Sequence, residues 1–582
     1  MGILDAAINA TLTRLDETRF SARLWDRDAA LWKSEPEHQR IIHKSLGWLT
    51  VPQSMLEKLD EVLALVEEVR VAGYKHAVVL GMGGSSLCPD VCRATFGTTP
   101  GYLRLHVLDS TVPASVARIA KDANPGETLY LVSSKSGGTV ETLSFYKYFR
   151  QLVEEKKGDK AGENFVAITD PGTSLERLAK ERGFRRVFPG QPDIGGRYSA
   201  LSNFGMVPAA LAGVDVRALL TRASEMAQAC GPSVLTRENP GVSLGVVLGE
   251  AALAGRNKLT FIMSPSIYTF ADWVEQLIAE SVGKEGRGIV PIVREHLETP
   301  ESYGNDRLFV HMKLASESNR KIEGMLRRLE LAGHMVVRIV LQGIHDLGGE
   351  FFRWEVATAT AGALLDIDPF DQPNVQESKD NTNRLLAQFA ARGSFEESAH
   401  LAESEGVKFF CDAAQPRGAS GTEGMDPSRT MEDCLAAFLS KAQTGDYVAI
   451  LAYLDPSSGH RAALQAIRMS LRNGLRLATT LGFGPRYLHS TGQLHKGGAA
   501  NGVFIIITGD DRSDLPVPGQ PYTFSILKQA QALGDLESLR SRNLRVVRFH
   551  VGRGVQAGLD HLLVVVKGAL KRLADERGRD ET

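Results

Sequence analysis

Residues 131–142, LVSSKSGGTVET, decide how the rest of the chain is interpreted. An apolar run ends here in small hydroxylic residues, one lysine and two glycines, which is the pattern of a strand that enters a phosphate-binding loop. Short side chains let backbone N–H groups approach an anion closely, and the hydroxyl groups add further donors. The same pattern is also typical of an ordinary strand-to-helix turn that is rich in Ser and Gly.

A second loop of the same kind lies earlier, in residues 76–87, HAVVLGMGGSSL. An apolar strand runs into three glycines, of which Gly83 and Gly84 are adjacent, and then into Ser85 and Ser86. This is not the G-x-G-x-x-G pattern of dinucleotide-binding proteins, because Ser86 stands where the third glycine is required. Two such loops after two strands predict that one phosphate is held at the carboxyl edge of a parallel sheet.

The composition bounds the class of protein. The 582 residues predict roughly two to four domains. Hydrophobic residues make up 43% of the chain, and the net charge of −2 shows no basic excess that would favour nucleic acid or a membrane surface. No apolar run reaches the ~18 residues of a membrane span, and the first residues lack the pattern of a signal peptide. Five scattered cysteines do not predict a disulfide framework. We therefore expect a cytoplasmic protein without nucleic-acid or membrane partners.

The order of periodic segments predicts an α/β fold. Residues 1–72 read as an N-terminal helical segment, because apolar residues recur there at every third and fourth position. Strands and helices then alternate through 73–230, which indicates a doubly wound parallel sheet. The same alternation in 231–395 and 441–582 predicts a second doubly wound domain. Residues 396–440 show no strong strand pattern, and we expect an insertion there, a helical lid or a partly mobile loop.

Four further positions are candidates for chemistry. Arg197 stands among small residues in IGGRYS, and Glu280 ends an apolar helix, where the dipole would raise its pKa as a general base requires. From that segment alone, a solvated carboxylate at the helix end is the simpler interpretation. Lys379 would lie about two turns into a helix, and by itself is a surface lysine. His489 in a small polar turn is an acid or base candidate, and its surroundings show no spacing typical of a metal site.

Together these segments resemble the glucose-6-phosphate isomerase family. GMGGSSL, SKSGGTVET, IGGRYS, EQLIAESVGKEG and PFDQPNVQESK occur in the family's order between residues 75 and 385. The resemblance implies two sugar-isomerase (SIS-type) domains with the active site between them, usually formed with a partner subunit, so that a homodimer is a possible assembly. The chain is most similar to the isomerase portion of fused transaldolase–isomerase proteins, and only the isomerase activity is expected.

The resemblance also implies a role for each matching residue. Glu280 would move a proton between carbon 1 and carbon 2 of the sugar, and Arg197 would stabilise the enediolate. Lys379 and a histidine would open the sugar ring, and neither a metal nor an organic cofactor is implied. The residues implied to hold the substrate phosphate are Ser85, Ser134, Lys135, Ser136, Thr139 and Gln276, and further substrate contacts are implied for Gly83, Gly84 and Gln372.

The histidine departs from the family's pattern. In the family it lies between the glutamate and lysine motifs, but here that stretch, which contains His296, does not match. The matching context is residues 488–493, LHSTGQ, which lie well beyond Lys379. We therefore predict that His489, and not His296, reaches the ring-oxygen side of the site from a later strand–helix turn.

The expected reaction is interconversion of glucose 6-phosphate and fructose 6-phosphate through a cis-enediol, with a small sugar phosphate as the partner. One alternative is a dual-specificity phosphoglucose/phosphomannose isomerase, because nothing in the motifs determines configuration at carbon 2. Another is a non-catalytic SIS-type regulator that binds a sugar phosphate. Such a regulator would need the Ser-rich loops but not Glu280, Arg197 or Lys379, and the presence of all three argues against it.

Overall fold

Parallel β-sheets organise the residues that the computed structural model describes, which are 4–317, 319–396, 399–411 and 430–580. The expected α/β class, with parallel sheets and N-terminal helices, is confirmed. The strands are β1 (His76–Leu80), β2 (Arg104–Leu108), β3 (Thr128–Ser133), β4 (Phe165–Thr169), β5 (Arg186–Pro189), β6 (Lys258–Met263), β7 (Val290–Ile292), β8 (Arg307–Leu314), β9 (Met335–Leu341), β10 (Ala402–Ser404), β11 (Val407–Phe410), β12 (Tyr447–Tyr453), β13 (Ala478–Phe483), β14 (Gly502–Thr508) and β15 (Arg545–His550).

Helices cover the faces of these sheets and form most of the N-terminal segment. They are α1 (Asp5–Glu17), α2 (Phe20–Trp25), α3 (Pro36–His43), α4 (Val51–Glu57), α5 (Leu59–Val71), α6 (Leu87–Phe96), α7 (Pro113–Asp122), α8 (Val140–Lys157), α9 (Ser174–Glu181), α10 (Asn203–Leu211), α11 (Val216–Ala229), α12 (Pro240–Leu253), α13 (Phe270–Val282), α14 (Arg320–Leu331), α15 (Leu347–Leu364), α16 (Val375–Arg392), α17 (Met431–Leu439), α18 (Ser458–Leu475), α19 (Gly492–Gly497), α20 (Phe524–Ser541) and α21 (Val555–Asp580). In the described ranges, none of the helices has the combined length and apolar character of a membrane span.

Three sheets are present in the described residues, and they share one strand pattern. Their orders are β2-β1-β3-β4-β5, β7-β6-β8-β9 and β13-β12-β14-β15-β11-β10. Among the parallel strands of each sheet, the strand that comes second in the chain pairs with one side of the first strand. The third strand pairs with the other side of the first strand, and the fourth strand follows the third. The side on which the next strand is added therefore changes between the first and third strands, and this topological switch point leaves a crevice at the carboxyl edge of each sheet.

The grouping of the later strands differs from the sequence-based expectation of one second sheet. The structure places β6–β9 in one sheet and β12–β15 in another. Hydrophobic patterning identifies a buried strand, but it does not specify which strand it pairs with, since pairing is a long-range choice. The domain boundaries that we drew from the sequence stay predictions.

Residues 396–440, where the sequence showed no strong strand pattern, contain two short strands in their described part. Strands β10 and β11 pair antiparallel, and β11 adds antiparallel to β15 at the edge of the third sheet. The rings of Phe409 and Phe549 pack with centroids 4.9 Å apart across this pairing. Residues 397–398 and 412–429 of the segment lie outside the described residues.

Apolar packing ties these units together. On α5, Leu59, Val62, Leu65, Val66 and Val69 are buried, and one continuous core joins the N-terminal helices to the first and second sheets. The third sheet has a core on each face, and one of these includes residues of α13 and β7 from the second sheet. Helix α13 is thereby held against the turn that follows β13.

Candidate active site

The candidate site lies where loops of all three sheets approach one another. These are the turn Gly83–Ser85 after β1, the loop between β3 and α8, helix α13 after β6, and the turn Arg486–His489 after β13. Gly83 has φ +55°, and a Cβ atom there would lie 2.7 Å from Nε2 of Gln276 and 2.9 Å from the backbone oxygen of His489. A side chain would therefore separate these segments, so the close approach requires glycine.

Gly84 likewise allows a close approach, in this case to the loop that carries Arg197. A Cβ atom at Gly84 would lie 1.9 Å from the backbone oxygen of Gly196, which no real structure tolerates. The loop that was predicted to hold phosphate is thus packed directly against the loop that carries the predicted enediolate-stabilising arginine.

Glu280 lies in the last turn of α13 with its side chain buried, so the solvated interpretation of this residue is wrong. Nε2 of Gln276 donates to Oε2 of Glu280 at 3.1 Å, and Nη1 of Arg197 lies 3.9 Å from Oε1. Burial raises the pKa of the Glu280 carboxyl, and the charges of Arg197 and His489 only partly offset this rise. A carboxylate in this setting is a stronger base than one in water.

Arg197 is a buried and fully anchored residue, not a flexible surface arginine. Its Nε donates to Oγ of Ser281 at 2.7 Å, and Nη2 donates to the backbone oxygens of Pro369 and Asp371 at 2.6 and 2.8 Å. Nη1 donates to Oε1 of Gln372 at 3.1 Å and is the nitrogen that faces Glu280. The positive charge is therefore held in one place beside Glu280.

His489 faces a carboxylate that the sequence analysis did not single out. Its Nε2 lies 2.8 Å from Oε1 of Glu141, and Nε2 of Gln531 donates to the same oxygen at 2.8 Å. Burial alone would raise the pKa of Glu141, but the charge and hydrogen bond of His489 outweigh it, so this pKa lies below the ordinary value. An ionised carboxylate only accepts, so Nε2 of His489 is the donor in this contact, and whenever the ring is neutral its Nδ1 offers a lone pair.

Glu141 could have been found from the sequence, because it belongs to the segment SKSGGTVET. An acidic residue in the first turn of a helix is also the usual stabilising choice there, so its position alone does not indicate a functional role. Gln531, on α20, has no comparable motif. Only the packing of α20 against the first unit shows that it contributes to the site.

A small cavity of about 90 Å³ joins the predicted ring-opening residues to the phosphate loop. Thr139, Glu141, Lys379, His489 and Gln531 all line it. Lys379 is exposed and projects from the second turn of α16. The structure therefore brings His489 and Lys379 together, although 110 residues separate them in the chain.

The predicted phosphate loop, between β3 and α8, leads directly into the N-terminus of α8. The hydroxyls of Ser134 and Thr139 lie 2.9 Å apart, and Thr139 occupies the N-cap position of α8 without a side-chain capping bond. The first N–H groups of α8 are thus not capped by that side chain, which suits an anion at a helix N-terminus. Ser136 is exposed. The ammonium group of Lys135 is ion-paired with Asp170.

Ser85 is buried next to this loop, at the end of the Gly83–Ser85 turn. Gln276 connects the two halves of the site. Its Nε2 donates to the backbone oxygen of His489 at 2.7 Å as well as to Glu280, while its Oε1 is buried without a hydrogen-bond partner among the described residues. A substrate hydroxyl or phosphate hydroxyl would satisfy that acceptor.

Below Arg197, His38, Asp368 and Asp371 bring three potential ligand atoms close together. The ammonium group of Lys284 already lies among them and donates to the backbone oxygens of Asp368 and Asp371 at 2.6 Å each. Burial lowers the pKa of Lys284 to about 8. This cluster therefore anchors the 368–371 turn that holds Arg197.

His296 lies away from these groups. It is exposed after β7, lines a different and larger cavity, and its backbone oxygen accepts a hydrogen bond from Arg472. Of the two histidines that the sequence analysis weighed, the structure brings His489 to Gln276 and Glu141.

Comparison with known proteins identifies the family. The phosphoglucose isomerase family matches residues 54–292. The chain is 30% identical over 385 residues to glucose-6-phosphate isomerase of Rubrobacter xylanophilus, covering 57% of this chain and 87% of that protein. It is 28% identical over 409 residues to glucose-6-phosphate isomerase of Carboxydothermus hydrogenoformans, covering 60% of this chain and 86% of that protein.

Solved structures show a similar fold. A hypothetical protein from Thermus thermophilus matches with a TM-score of 0.55 at 24% identity, covering 66% of this chain and 98% of that one. A glucose-6-phosphate isomerase from Chlamydia trachomatis matches with a TM-score of 0.50 at 22% identity, covering 64% of this chain and 80% of that one.

The fold and the arrangement of loops define a phosphosugar isomerase-type α/β protein. The chain belongs to the glucose-6-phosphate isomerase family. The family match contains Arg197, Gln276 and Glu280 but ends before Lys379 and His489. The positions of Lys379 and His489 in the site are therefore seen in the three-dimensional structure and not in the family match.

Proposed function

We propose that this protein interconverts glucose 6-phosphate and fructose 6-phosphate through a cis-enediol intermediate. The observation that carries the proposal is one continuous chain of contacts across the three sheets. It runs from Arg197 to Glu280, through Gln276 to the backbone of His489, and from the His489 ring to Glu141. A base, a cation and a histidine–carboxylate pair are thereby assembled beside a phosphate loop.

The phosphate anchors the substrate and does not react. The hydroxyls of Ser85, Ser134, Ser136 and Thr139 and the N-terminus of α8 supply donors in a region of small side chains. Binding energy from this remote group orients the reacting carbons, which is how a non-reacting part of a substrate contributes to turnover. Lys135 is ion-paired with Asp170. We therefore propose that Lys135 holds the phosphate loop in position and adds positive charge near the phosphate.

Ring opening falls to His489 and Lys379. The Nδ1 lone pair of His489 can accept the hydroxyl proton of the cyclic sugar while Glu141 stabilises the resulting imidazolium through Nε2. Lys379 on the same cavity can deliver a proton to the ring oxygen. Glu141 is thus a positioning residue that acts through the histidine.

Isomerisation falls to Glu280 and Arg197. The carboxylate removes the proton from carbon 2 of the open aldose and returns it to carbon 1, since one base can reach both adjacent carbons. Negative charge that develops on the oxygens is stabilised by the fixed guanidinium of Arg197. Gln276 orients Glu280 through the hydrogen bond to Oε2.

The alternatives are not favoured. A non-catalytic regulator has no use for a buried base beside a fixed cation, and no observation favours a mannose phosphate over a glucose phosphate. A cytoplasmic location, a homodimer and the similarity to the isomerase portion of fused transaldolase–isomerase proteins stay proposals.

A coupled assay that follows formation of glucose 6-phosphate from fructose 6-phosphate tests the proposal. We expect turnover by chelator-treated wild-type protein and its loss in Glu280→Gln. The matched control is Glu285→Gln, five residues further on, where the carboxylate pairs with Lys33 at the surface. No turnover by the wild-type protein with either sugar would show that the proposal is wrong.

A further inference from the structure

A cavity of about 930 Å³ lies between the carboxyl ends of strands of the second and third sheets. It shares no lining residue with the cavity that Lys379 and His489 line, although the turn Arg486–His489 borders both. Its wall includes the end of β6, residues 293–297 after β7, the end of β13, and parts of α13 and α18. This volume is at the upper end of what small-molecule sites use. Glu280, Lys379 and His489 do not line it.

Much of the wall is apolar. Ile262, Met263, Val293, Leu297 and Phe483 all line the cavity. A molecule with an apolar or aromatic body would remove this surface from water, which is favourable by about 25 cal/mol per Å² of apolar area.

Most of the charged groups in the wall are already compensated. Arg486 lies 3.0 Å from a carboxylate oxygen of Asp109 and 3.3 Å from one of Asp90. Arg294 donates through Nε to Asp272 at 2.8 Å. Because these charges are already balanced within the protein, they do not require a ligand of opposite charge.

Arg461, on α18, is different. Its Nε donates to the backbone oxygen of Pro456 at 2.9 Å, and its guanidinium stacks on the ring of Phe483 with 4.6 Å to the centroid. No carboxylate of the described residues forms an ion pair with it. The guanidinium is thus oriented by one hydrogen bond and one ring, with both terminal NH₂ groups available.

Glu275, on α13, is a second group without a partner. Within the described part of the chain, its carboxyl makes neither a hydrogen bond nor an ion pair. Burial, assisted by the charge of Asp272, raises the pKa of Glu275 to about 8. At neutral pH the group is therefore mostly a neutral hydrogen-bond donor, so it adds no repulsion toward an anion.

We propose that this cavity is a second binding site, for an organic anion with an apolar or aromatic body and one carboxylate or phosphate group. Arg461 would hold the anionic group in a bidentate manner, Glu275 would donate a further hydrogen bond, and the apolar wall would cover the body. This site goes beyond the proposed function and does not depend on it.

The test is equilibrium binding of 1-naphthoate and 1-naphthyl phosphate to the full chain, with neutral 1-naphthol as the uncharged control. We expect one or both anions to bind more tightly than naphthol, and the tighter anion identifies the preferred head group. Arg461→Gln should weaken that binding at least tenfold, which corresponds to about 1.4 kcal/mol. Arg104→Gln, an exposed arginine on β2, should leave binding unchanged.

Two further variants locate the bound probe. Thr139→Ala alters the candidate active site and should not affect binding of the probe, while Ala462→Trp places a bulky side chain in the cavity from the exposed surface of α18 and should weaken it. The proposal is overturned if neither anion binds more tightly than naphthol. It is equally overturned if binding survives both Arg461→Gln and Ala462→Trp, or is lost in Thr139→Ala.

Discussion

Replacement of Glu141 by Gln tests the least expected part of the site. The carboxylate lies 2.8 Å from Nε2 of His489, so the change removes a charge-assisted hydrogen bond from the imidazolium that forms on ring opening. Such bonds are worth about 1.5–3 kcal/mol, so turnover of a cyclic substrate should fall by roughly 10- to 150-fold. The amide NH₂ can also donate to Nε2, and that would move the ring proton to Nδ1 and remove the acceptor.

The loss should be restricted to ring opening. A four-carbon sugar 4-phosphate cannot close into a ring, because its C4 oxygen carries the phosphate, so its isomerisation depends on Glu280 and Arg197 and should be spared. Kinetic constants for cyclic fructose 6-phosphate and for a four-carbon substrate would be compared in Glu141→Gln, His489→Ala and His296→Ala. We expect the first two variants to share one profile and the third to behave like wild type.

The matched control for this comparison is Glu154→Gln, which removes a carboxylate from the exposed end of the same helix, where it pairs with Arg150. Equal losses on the cyclic and the four-carbon substrate in Glu141→Gln would refute a role in ring opening. Wild-type kinetics in His489→Ala, with a defect in His296→Ala, would refute the assignment of the histidine.

Three other sets of substitutions probe the base, the phosphate loop and a buried carboxyl group. Glu280→Gln should lower turnover by about 10²–10⁴-fold with nearly intact substrate binding, and continued exchange of the carbon 2 proton with solvent in this variant would contradict the assignment. The double change Ser136→Ala and Thr139→Ala should weaken binding of substrate and of a phosphorylated sugar-acid inhibitor together, by about 1.5–3 kcal/mol for each donor to the charged group. Calorimetric titration measures both affinities. An unchanged affinity for the inhibitor would contradict phosphate binding by this loop. Glu355 is buried on α15, neither carboxyl oxygen has a hydrogen-bond partner among the described residues, and burial raises its pKa well above the ordinary value. The folded state therefore favours the neutral form of Glu355, and the contribution of this group to stability is lost as pH rises above the unfolded pKa of about 4.3. The free energy of unfolding, measured with denaturant at pH 5 and pH 8, should decrease less in Glu355→Gln than in wild type. Equal decreases would contradict this.

Local patterns were sufficient for the parts of this protein that depend on neighbours in the chain. The strands β1 and β3 end in Gly- and Ser-rich loops because tight turns and close anion approach require small residues there. Arg197 and Glu280 each stand in a short segment that matches a family motif, and it was this resemblance that implied a role for both. The helical segment before β1 was visible because one face of α5 repeats with helical spacing.

The grouping of strands could not be read from these patterns. Strands β6–β9 and β12–β15 have the same buried, apolar character, and they form two sheets with the same order of strands. Which strand pairs with which depends on contacts between residues far apart in the chain, and a hydrophobic run carries no label for its partner. Strand β11 gave no strong pattern for a related reason, because it is only four residues long and is stabilised by pairing with β15 on one side and β10 on the other.

The sequence by itself determined the α/β class and the family, and it predicted a base, a cation and two phosphate loops, because each of these motifs consists of contiguous residues. Tertiary structure alone decided that Glu141 and Gln531 surround His489, that Lys135 is paired with Asp170, and that Glu280 is buried. The physical reason is that hydrogen bonding, ion pairing and burial are properties of neighbours in space. His489 and Glu141 are 348 residues apart in the chain, and only the packing of the third sheet against the first two brings them to 2.8 Å.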